Sequence, residues 1–273
     1  MPPSTVGHRS ASVTTESGPW RYIASGAGAD VVLLLPGALG TDAARALLDA
    51  LAATHRVIAP VYGGSSTMRA ICDALVRVLD AEGVERAHVV GASYGGVVAQ
   101  CLAHDQPART RGIVLSHSFV LRPEDAWRFR LAIRLWRRIP RRLLRSLLRR
   151  RLERLILEPL RAAGHADLPR WREHVVQAAN NMLESGAASL QQRVLLDVAE
   201  HWPLGGQTSV ALAHRMLIVQ SDNDPAIRAR ARAALVAAYP GAAVHTFHGT
   251  GHVTSILAPA ELASVLNAFF ESC

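Results

Sequence analysis

The chain has 273 residues, of which 49% are hydrophobic, so it can form one large domain with a substantial core or two small domains. Its formal net charge is +8, and all 30 of its basic residues are arginine. Because Schiff-base chemistry needs a lysine, pyridoxal-phosphate enzymes and lysine aldolases are excluded.

Residues 1–19 are polar and rich in proline, serine and threonine, and they predict a loose N-terminal arm. They lack the apolar segment of a secretory signal, and the chain contains no run of about 18 apolar residues. We therefore expect no transmembrane helix and a cytoplasmic location. Three widely spaced cysteines without a CxxC pair argue against a disulfide framework and a cysteine-based metal site.

Apolar runs and amphipathic stretches alternate along much of the chain, which predicts a mostly parallel sheet with crossover helices on both faces. The predicted strands are 31–35, 56–61, 87–91, 112–115, 216–220 and 243–247. The predicted helices of this layered part are 43–53, 68–81, 94–103, 226–239 and 259–270. The pattern is typical of an α/β fold.

The alternation stops between the fourth and fifth of these strands, where residues 123–200 show helical periodicity only. A sheet interrupted by so long a helical segment predicts a core with an inserted lid. We therefore divide the chain into an arm (1–19), an α/β core (20–121 and 206–273) and a helical, arginine-rich lid (122–205).

The strongest chemical signal is at residues 91–96, which read Gly-Ala-Ser-Tyr-Gly-Gly and fit the motif G-x-S-x-G. The motif lies where a predicted strand meets a predicted helix, the context in which it forms a sharp turn that exposes the serine. One glycine lies two positions before the serine and another lies two positions after it, because larger side chains at these positions would clash across the turn. Ser93 is the predicted nucleophile, and the alternative is a tight turn with a passive serine.

A serine nucleophile that attacks a carbonyl also needs two backbone N–H donors for the developing oxyanion. Tyr94, directly after the nucleophile, is one predicted donor, and Ala38, after the Pro36-Gly37 turn that ends the first predicted strand, is the other. A Pro-Gly pair alone fits an ordinary strand-ending turn equally well.

The orienting acid and the base are predicted at the ends of the last two strands. Asp222 and Asp224 both follow a strand, and we favour Asp224 because it directly precedes a proline that opens a helix. The other aspartate then caps that helix or stabilises the loop. His252 ends a glycine-rich turn after the last strand, and the order Ser93, Asp224, His252 is the order that this architecture requires.

His245 and His248 are alternatives to His252, and the three histidines together suggest a metal site. No acidic residue lies close to them in sequence, and a span from strand to loop does not easily converge ligands. We therefore expect neither a metal nor another cofactor. The predicted substrate contacts are Leu39, His117 and Val253.

These motifs together resemble the α/β-hydrolase superfamily, over residues 20–273 apart from the lid. The resemblance implies the α/β-hydrolase fold, the triad roles and a lid inserted after the fourth clear strand. Residues 91–96 together with Ser-His-Ser-Phe at 116–119 are similar to the maspardin-like branch, in which some members lack a complete triad. His252 distinguishes this chain from those members and favours an active enzyme.

Two further features refine the comparison with that superfamily. The serine at position 93 disfavours relatives that use an aspartate nucleophile, such as haloalkane dehalogenases and epoxide hydrolases. Pro36-Gly37 stands where many relatives have His-Gly, so this loop differs from theirs.

The predicted function is hydrolysis of a carboxylic ester or thioester through an acyl-enzyme on Ser93, with a small-molecule acyl substrate and no nucleic acid partner. A lyase, cyclase or acyltransferase on the same frame is one alternative, because fold and triad do not determine the reaction. A catalytically silent adaptor is another. The identity of the substrate and the oligomeric state are not predicted.

The basic charge is concentrated in one segment, residues 122–161, which carry 14 arginines and four acids, a balance of +10. The rest of the chain is therefore close to neutral, at −2. Leucines and aromatic residues recur between the arginines with helical spacing, and Pro140 predicts a break between two helices. The favoured interpretation is a lid with a solvated arginine face, and the alternative is weak contact with anionic membranes.

Overall fold

An eight-stranded sheet forms the centre of the protein in the computed structural model, which describes residues 7–16, 18–205 and 214–273. The strands are β1 (His8–Thr15), β2 (Gly18–Ser25), β3 (Val31–Leu35), β4 (Arg56–Val61), β5 (Ala87–Ala92), β6 (Thr110–Ser116), β7 (Met216–Ser221) and β8 (Ala243–Phe247). Their order in the sheet is β1-β2-β4-β3-β5-β6-β7-β8, and β3 to β8 run parallel. The predicted fold class is thereby confirmed.

The register of the parallel strands brings their carboxyl ends to one edge of the sheet. Leu35 lies beside Gly91, and Ala92 lies beside Ser116. Ser116 in turn lies beside Val219 in β7. The loops that follow β3, β5, β6 and β7 therefore meet at this edge, where open parallel sheets bind their ligands.

Helices cover both faces of the sheet. They are α1 (Arg45–Ala52), α2 (Met68–Ala81), α3 (Tyr94–Asp105), α4 (Ala126–Trp136), α5 (Arg141–Leu152), α6 (Glu158–Ala162), α7 (Leu168–Glu184), α8 (Ala187–His201), α9 (Ala229–Ala238), α10 (Thr254–Leu257) and α11 (Pro259–Glu271). Helices α2, α3 and α9 share a core with one face, and α1 and α11 share a core with the other. Among the described helices, none is long and apolar enough to cross a bilayer.

The N-terminal segment differs from the loose arm that its composition predicts. Strands β1 and β2 form an antiparallel hairpin that joins the sheet through β4. Trp20 and Tyr22 are buried in β2 while Arg21 between them is exposed, so side chains alternate as in a half-buried strand. Composition obscured this alternation, which explains the wrong expectation. Residues 1–6 and 17 of the predicted arm lie outside the described residues.

In the described part of the chain, five helices, α4 to α8, lie between β6 and β7, and we call residues 126–201 the insertion. Leu144, Leu148 and Leu152 of α5 pack on Val175 and Ala179 of α7 in a core that is separate from the two cores of the sheet. The predicted break at Pro140 is confirmed, because α4 ends at Trp136 and Pro140 directly precedes α5. A π-helical turn, Glu153–Leu157, links α5 to α6. Residues 206–213, where the second part of the predicted core begins, lie outside the described residues.

A buried histidine in β5 predicts loss of stability in acid. The ring of His88 lies 4.4 Å from the ring of Phe270 between centroids, its Nδ1 has no hydrogen-bond partner among the described residues, and burial lowers its pKa to about 4. The unfolded chain takes up this proton near pH 6.5 whereas the folded chain does not, so stability falls as the pH drops from about 6.5 toward 4.

We expect the urea midpoint of unfolding to fall between pH 7 and about pH 4.5, and to fall less in His88→Phe, which keeps an aromatic ring against Phe270. An equal decrease in the wild type and the variant would show that His88 does not cause the acid sensitivity.

Candidate active site

Ser93 lies on a strained turn between β5 and α3. Its backbone has φ 52° and ψ −113°, a conformation that side-chain-bearing residues rarely adopt. A Cβ added to Gly91 would lie 2.3 Å from the carbonyl oxygen of Gly95, and a Cβ added to Gly95 would lie 2.2 Å from that of Leu35. The two glycines are therefore required by close backbone contacts, as the motif predicts.

Three side chains to which the sequence analysis assigned no role support this turn from within the core. The Ser118 hydroxyl donates to the Ser93 carbonyl at 2.9 Å. The Gln100 amide nitrogen donates to the Gly96 carbonyl at 3.0 Å, and the Tyr239 hydroxyl donates to the Gln100 amide oxygen at 2.9 Å. A glutamine inside the otherwise small and apolar α3 was the one available signal, since a buried amide needs hydrogen-bond partners.

The loop after β3 lies directly over Ser93. A Cβ added to Gly37 would lie 3.4 Å from the Cβ of Ser93, and the Gly40 amide donates to the Gly37 carbonyl at 3.1 Å to form a tight turn. Ala38, in this turn, and Tyr94 both line the cavity that contains Ser93. Tyr94 is the first residue of α3, so its amide has no carbonyl acceptor one turn earlier in the helix.

His252 and Asp224 form a direct contact. His252 Nδ1 lies 2.8 Å from Asp224 Oδ2, and the Asp224 side chain is almost completely buried. The other carboxylate oxygen, Oδ1, accepts the backbone N–H groups of Ala226 at 2.7 Å and Ile227 at 3.0 Å. Asp224 thus stabilises the turn before α9 and contacts the histidine at the same time.

The environment of Asp224 favours its charged form. Burial alone would raise the pKa of this carboxyl, but the hydrogen bond from His252, the electrostatic attraction to that ring and the Ile227 amide outweigh burial and lower the pKa. Asp224 is therefore an ionised acceptor for the Nδ1–H of His252.

Asp222, the alternative acid, contacts a different histidine. Its carboxylate lies 2.9 Å from His248 Nδ1 and accepts the Gly249 amide at 3.0 Å, in an exposed position. The Gly249 and His248 hydrogen bonds lower the pKa of Asp222. Asn223, between the two aspartates, accepts the Gly251 amide at 2.8 Å. Residues 222–224 therefore hold the turn that carries His252 at several points.

The remaining histidine alternative, His245, packs against Phe247 within β8, with ring centroids 4.8 Å apart. Among the described residues, no group of three or more His, Cys, Asp or Glu side chains is arranged to hold a metal ion.

The structure places His117 behind His252. Its ring is perpendicular to that of His252 at 5.7 Å between centroids, and its Nε2 lies 2.9 Å from the Thr254 hydroxyl. His117 has φ 50° and a buried ring, and it is not among the residues that line the cavity beside Ser93. Its role as a substrate contact stays a prediction. Burial, together with the charge of His252, lowers the pKa of His117.

A cavity of about 470 Å³ opens beside Ser93 and His252. The predicted contacts Leu39 and Val253 line it. The insertion contributes apolar walls from Phe129, Trp136, Leu148, Leu152, Leu155 and Met182. It also contributes polar side chains from Arg128, Arg151, Gln191 and Gln192, none of which the sequence had singled out. Such an apolar cavity with few polar groups is typical of a small-molecule site.

The fold and the geometry of this edge define an α/β-hydrolase fold whose parallel strands present a serine, an aspartate and a histidine in the predicted order. The chain belongs to the alpha/beta hydrolase family, whose sequence profile matches residues 32–265. The predicted superfamily is therefore confirmed, while the closer likeness to maspardin stays a prediction.

Individual relatives match either a part of the sequence or the whole fold. The chain is 40% identical over 106 residues to the dihydrolipoyllysine-residue acetyltransferase component of the acetoin cleaving system of Cupriavidus necator. The match covers 35% of this chain and 28% of that protein.

Solved structures match nearly the whole chain. A hydrolase from Pseudomonas aeruginosa PA01 has a TM-score of 0.76 at 19% identity, covering 96% of this chain and 98% of that one. A meta-cleavage product hydrolase from Pseudomonas fluorescens IP01 has a TM-score of 0.69 at 19% identity, and the match covers 96% of this chain and 97% of that one. These likenesses support the fold described above.

Proposed function

We propose that the protein is a serine hydrolase that cleaves a carboxylic ester or thioester through an acyl-enzyme on Ser93. The observation that carries this proposal is the 2.8 Å contact between His252 and a buried, ionised Asp224, with His252 and Ser93 lining one cavity. A histidine held in one tautomer by a carboxylate can act as the base for a neighbouring serine.

The proposed reaction begins with proton transfer from Ser93 to His252. Because Asp224 accepts a hydrogen bond from the Nδ1–H of His252, Nε2 carries no proton and takes the proton of Ser93 Oγ as that oxygen attacks the substrate carbonyl. His252 then returns the proton to the leaving alcohol or thiol, which leaves the acyl group on Ser93. A water molecule then attacks the acyl carbonyl while one of its protons passes to His252. The bond to Ser93 Oγ breaks, His252 returns the proton to that oxygen, and the carboxylic acid is released.

The amides of Ala38 and Tyr94 are the proposed donors to the negatively charged oxygen of the intermediate. The Gly37 turn lies in contact range of Ser93, and the Tyr94 amide begins α3, whose positive dipole end favours an anion. Each such donor typically stabilises the transition state by about 3 kcal/mol, so this loop matters nearly as much as the triad.

The substrate that we propose has an apolar acyl or alcohol part. The cavity walls contributed by the insertion are mainly leucine, methionine and aromatic side chains, which favour a hydrocarbon group over a charged one.

A labelling experiment tests the proposal. We expect a fluorophosphonate probe to label the wild-type protein on Ser93, because the probe reacts with activated serines. Ser255→Ala is the matched control, since Ser255 lines the same cavity and, within the described residues, forms no hydrogen bond with Asp224 or His252. Ser93→Ala should abolish labelling and Ser255→Ala should preserve it.

A series of p-nitrophenyl esters from acetate to dodecanoate would then measure the acyl-chain preference, and a rise of kcat/KM with chain length is expected for the apolar cavity. A folded wild-type protein that takes up no label would contradict the hydrolase proposal and favour the silent adaptor.

A further inference from the structure

Large apolar side chains are exposed on the outer surface of α4 and α5. The described part of the chain has seven strongly exposed large hydrophobic side chains, and five of them belong to these two helices, which are consecutive in the chain. They are between 45% and 58% exposed, and we call them the apolar stripe: Trp127, Leu131, Leu135, Leu143 and Leu147. Scattered single hydrophobic residues are normal on a protein surface, but such a concentration indicates an interaction site.

The spacing of the stripe shows that each helix has a second apolar side. Trp127, Leu131 and Leu135 recur every fourth residue, so they lie along one side of α4. In α5, Leu144 and Leu148 point into the core of the insertion, while their neighbours Leu143 and Leu147 are exposed. Packing within the described chain therefore does not account for the outward leucines.

The charge around the stripe has one sign. From Ala126 to Leu152 there are 11 arginines and no acidic residue. Within the described residues, three of these arginines pair with a carboxylate: Arg128 with Asp125, Arg130 with Glu200, and Arg149 with Glu153. The other eight have no carboxylate partner in the described part of the chain: Arg134, Arg137, Arg138, Arg141, Arg142, Arg145, Arg150 and Arg151.

We propose that α4 and α5 dock onto a lipid bilayer surface that contains anionic lipids. The apolar stripe would enter the boundary between headgroups and acyl chains, and the unpaired arginines would contact lipid phosphates. An anionic bilayer is the occupant that satisfies both features, because it offers an apolar layer beneath a layer of negative charge. A second copy of the chain fits poorly, since it would bring eight further unpaired arginines against the first eight.

The docking surface is continuous with the cavity that contains Ser93. Trp136 of α4 and Leu148 of α5 line that cavity, as do Arg128 and Arg151. Docking would therefore bring the cavity to the bilayer surface, where amphiphilic esters accumulate. This consequence depends on the proposed hydrolase activity, whereas docking itself does not.

Co-sedimentation of the full-length protein with vesicles tests the docking. We expect at least 10-fold stronger binding to vesicles of equal parts phosphatidylcholine and phosphatidylglycerol than to phosphatidylcholine alone, weakening as salt screens the arginines. Leu131→Ser/Leu143→Ser/Leu147→Ser and Arg142→Gln/Arg145→Gln should each lose about 10-fold or more of this binding, because either the apolar or the electrostatic part is removed.

Matched controls lie elsewhere on the surface. Val176→Ser/Val244→Ser removes the other two exposed large hydrophobic residues, and Arg77→Gln/Arg230→Gln removes two exposed arginines outside the insertion's basic surface. Both controls should bind anionic vesicles as the wild type does. All four variants should hydrolyse a short water-soluble ester at the wild-type rate, because none of the changed residues lines the cavity.

Three results would overturn the proposal. The first is unchanged vesicle binding in the triple serine variant, and the second is equal binding of the wild type to neutral and anionic vesicles. The third is binding to soluble polyglutamate as tight as to vesicles, which would identify an acidic macromolecule as the partner. A failure of docking with normal ester hydrolysis would leave the proposed function intact, and the reverse result would leave the docking intact.

Discussion

Replacing Ser93 with alanine is expected to lower kcat for ester hydrolysis by about 10⁴- to 10⁶-fold while changing KM little. Alanine removes the oxygen proposed to form the acyl-enzyme, whereas the cavity proposed to bind the substrate keeps its walls. The residual rate would come from the remaining oxyanion donors and from substrate positioning. Steady-state kinetics with a p-nitrophenyl ester measure the effect.

The fold of this variant should be unaffected. Serine and alanine experience the same backbone strain at position 93. The variant also keeps both hydrogen bonds of the main chain here: its amide still donates to the Ser116 carbonyl, and its carbonyl still accepts from the Ser118 hydroxyl. A thermal midpoint close to that of the wild type would therefore accompany the loss of turnover. Ser255→Ala should retain nearly full activity, and substantial turnover by Ser93→Ala would disprove the role of Ser93 as the nucleophile.

Asp224→Asn is expected to lower kcat by about 10⁴-fold, which corresponds to roughly 5.5 kcal/mol of transition-state stabilisation. Oδ1 of Asp224 accepts two backbone N–H groups, so the asparagine oxygen will take that place and its NH₂ group will face His252 Nδ1. His252 must then accept at Nδ1 and carry its proton on Nε2, the nitrogen that has to accept the proton of Ser93.

Asp222→Asn is the matched control for this experiment. Asp222 also contacts the Nδ1 of a histidine and also accepts a backbone amide, but its partner is His248 and the pair is exposed. The same chemical change should therefore lower kcat only a few-fold, because exposed charged pairs contribute little. A greater loss in Asp222→Asn than in Asp224→Asn would show that the wrong aspartate has been assigned.

The sequence by itself was sufficient for the parallel sheet and for the positions of the motifs. The run Val31–Leu35 is apolar without interruption because β3 is covered on both faces, and the α2 limits follow from apolar residues on one helical face. The glycines around Ser93 were informative because a backbone contact at 2.2 to 2.3 Å excludes any larger side chain. These features depend on the spacing of apolar residues and glycines along the chain, which can be read from the sequence alone.

The tertiary structure alone decided which neighbours these elements meet. Asp222 and Asp224 are two residues apart and chemically identical, and only the packing of the His252 turn buries one against its histidine and leaves the other exposed. His117 follows a strand end at the same edge of the sheet, yet its ring is buried and is not among the residues that line the cavity.

The same limit explains the N-terminal hairpin and the apolar stripe. The alternation in β2 has meaning only when a helical layer packs on that face of the sheet and buries Trp20 and Tyr22. The leucines of α5 could likewise all have been buried had a further helix packed against them. Periodicity in a sequence identifies the apolar faces of an element, but whether a face is covered depends on residues that are distant in the chain, and that is settled only by folding.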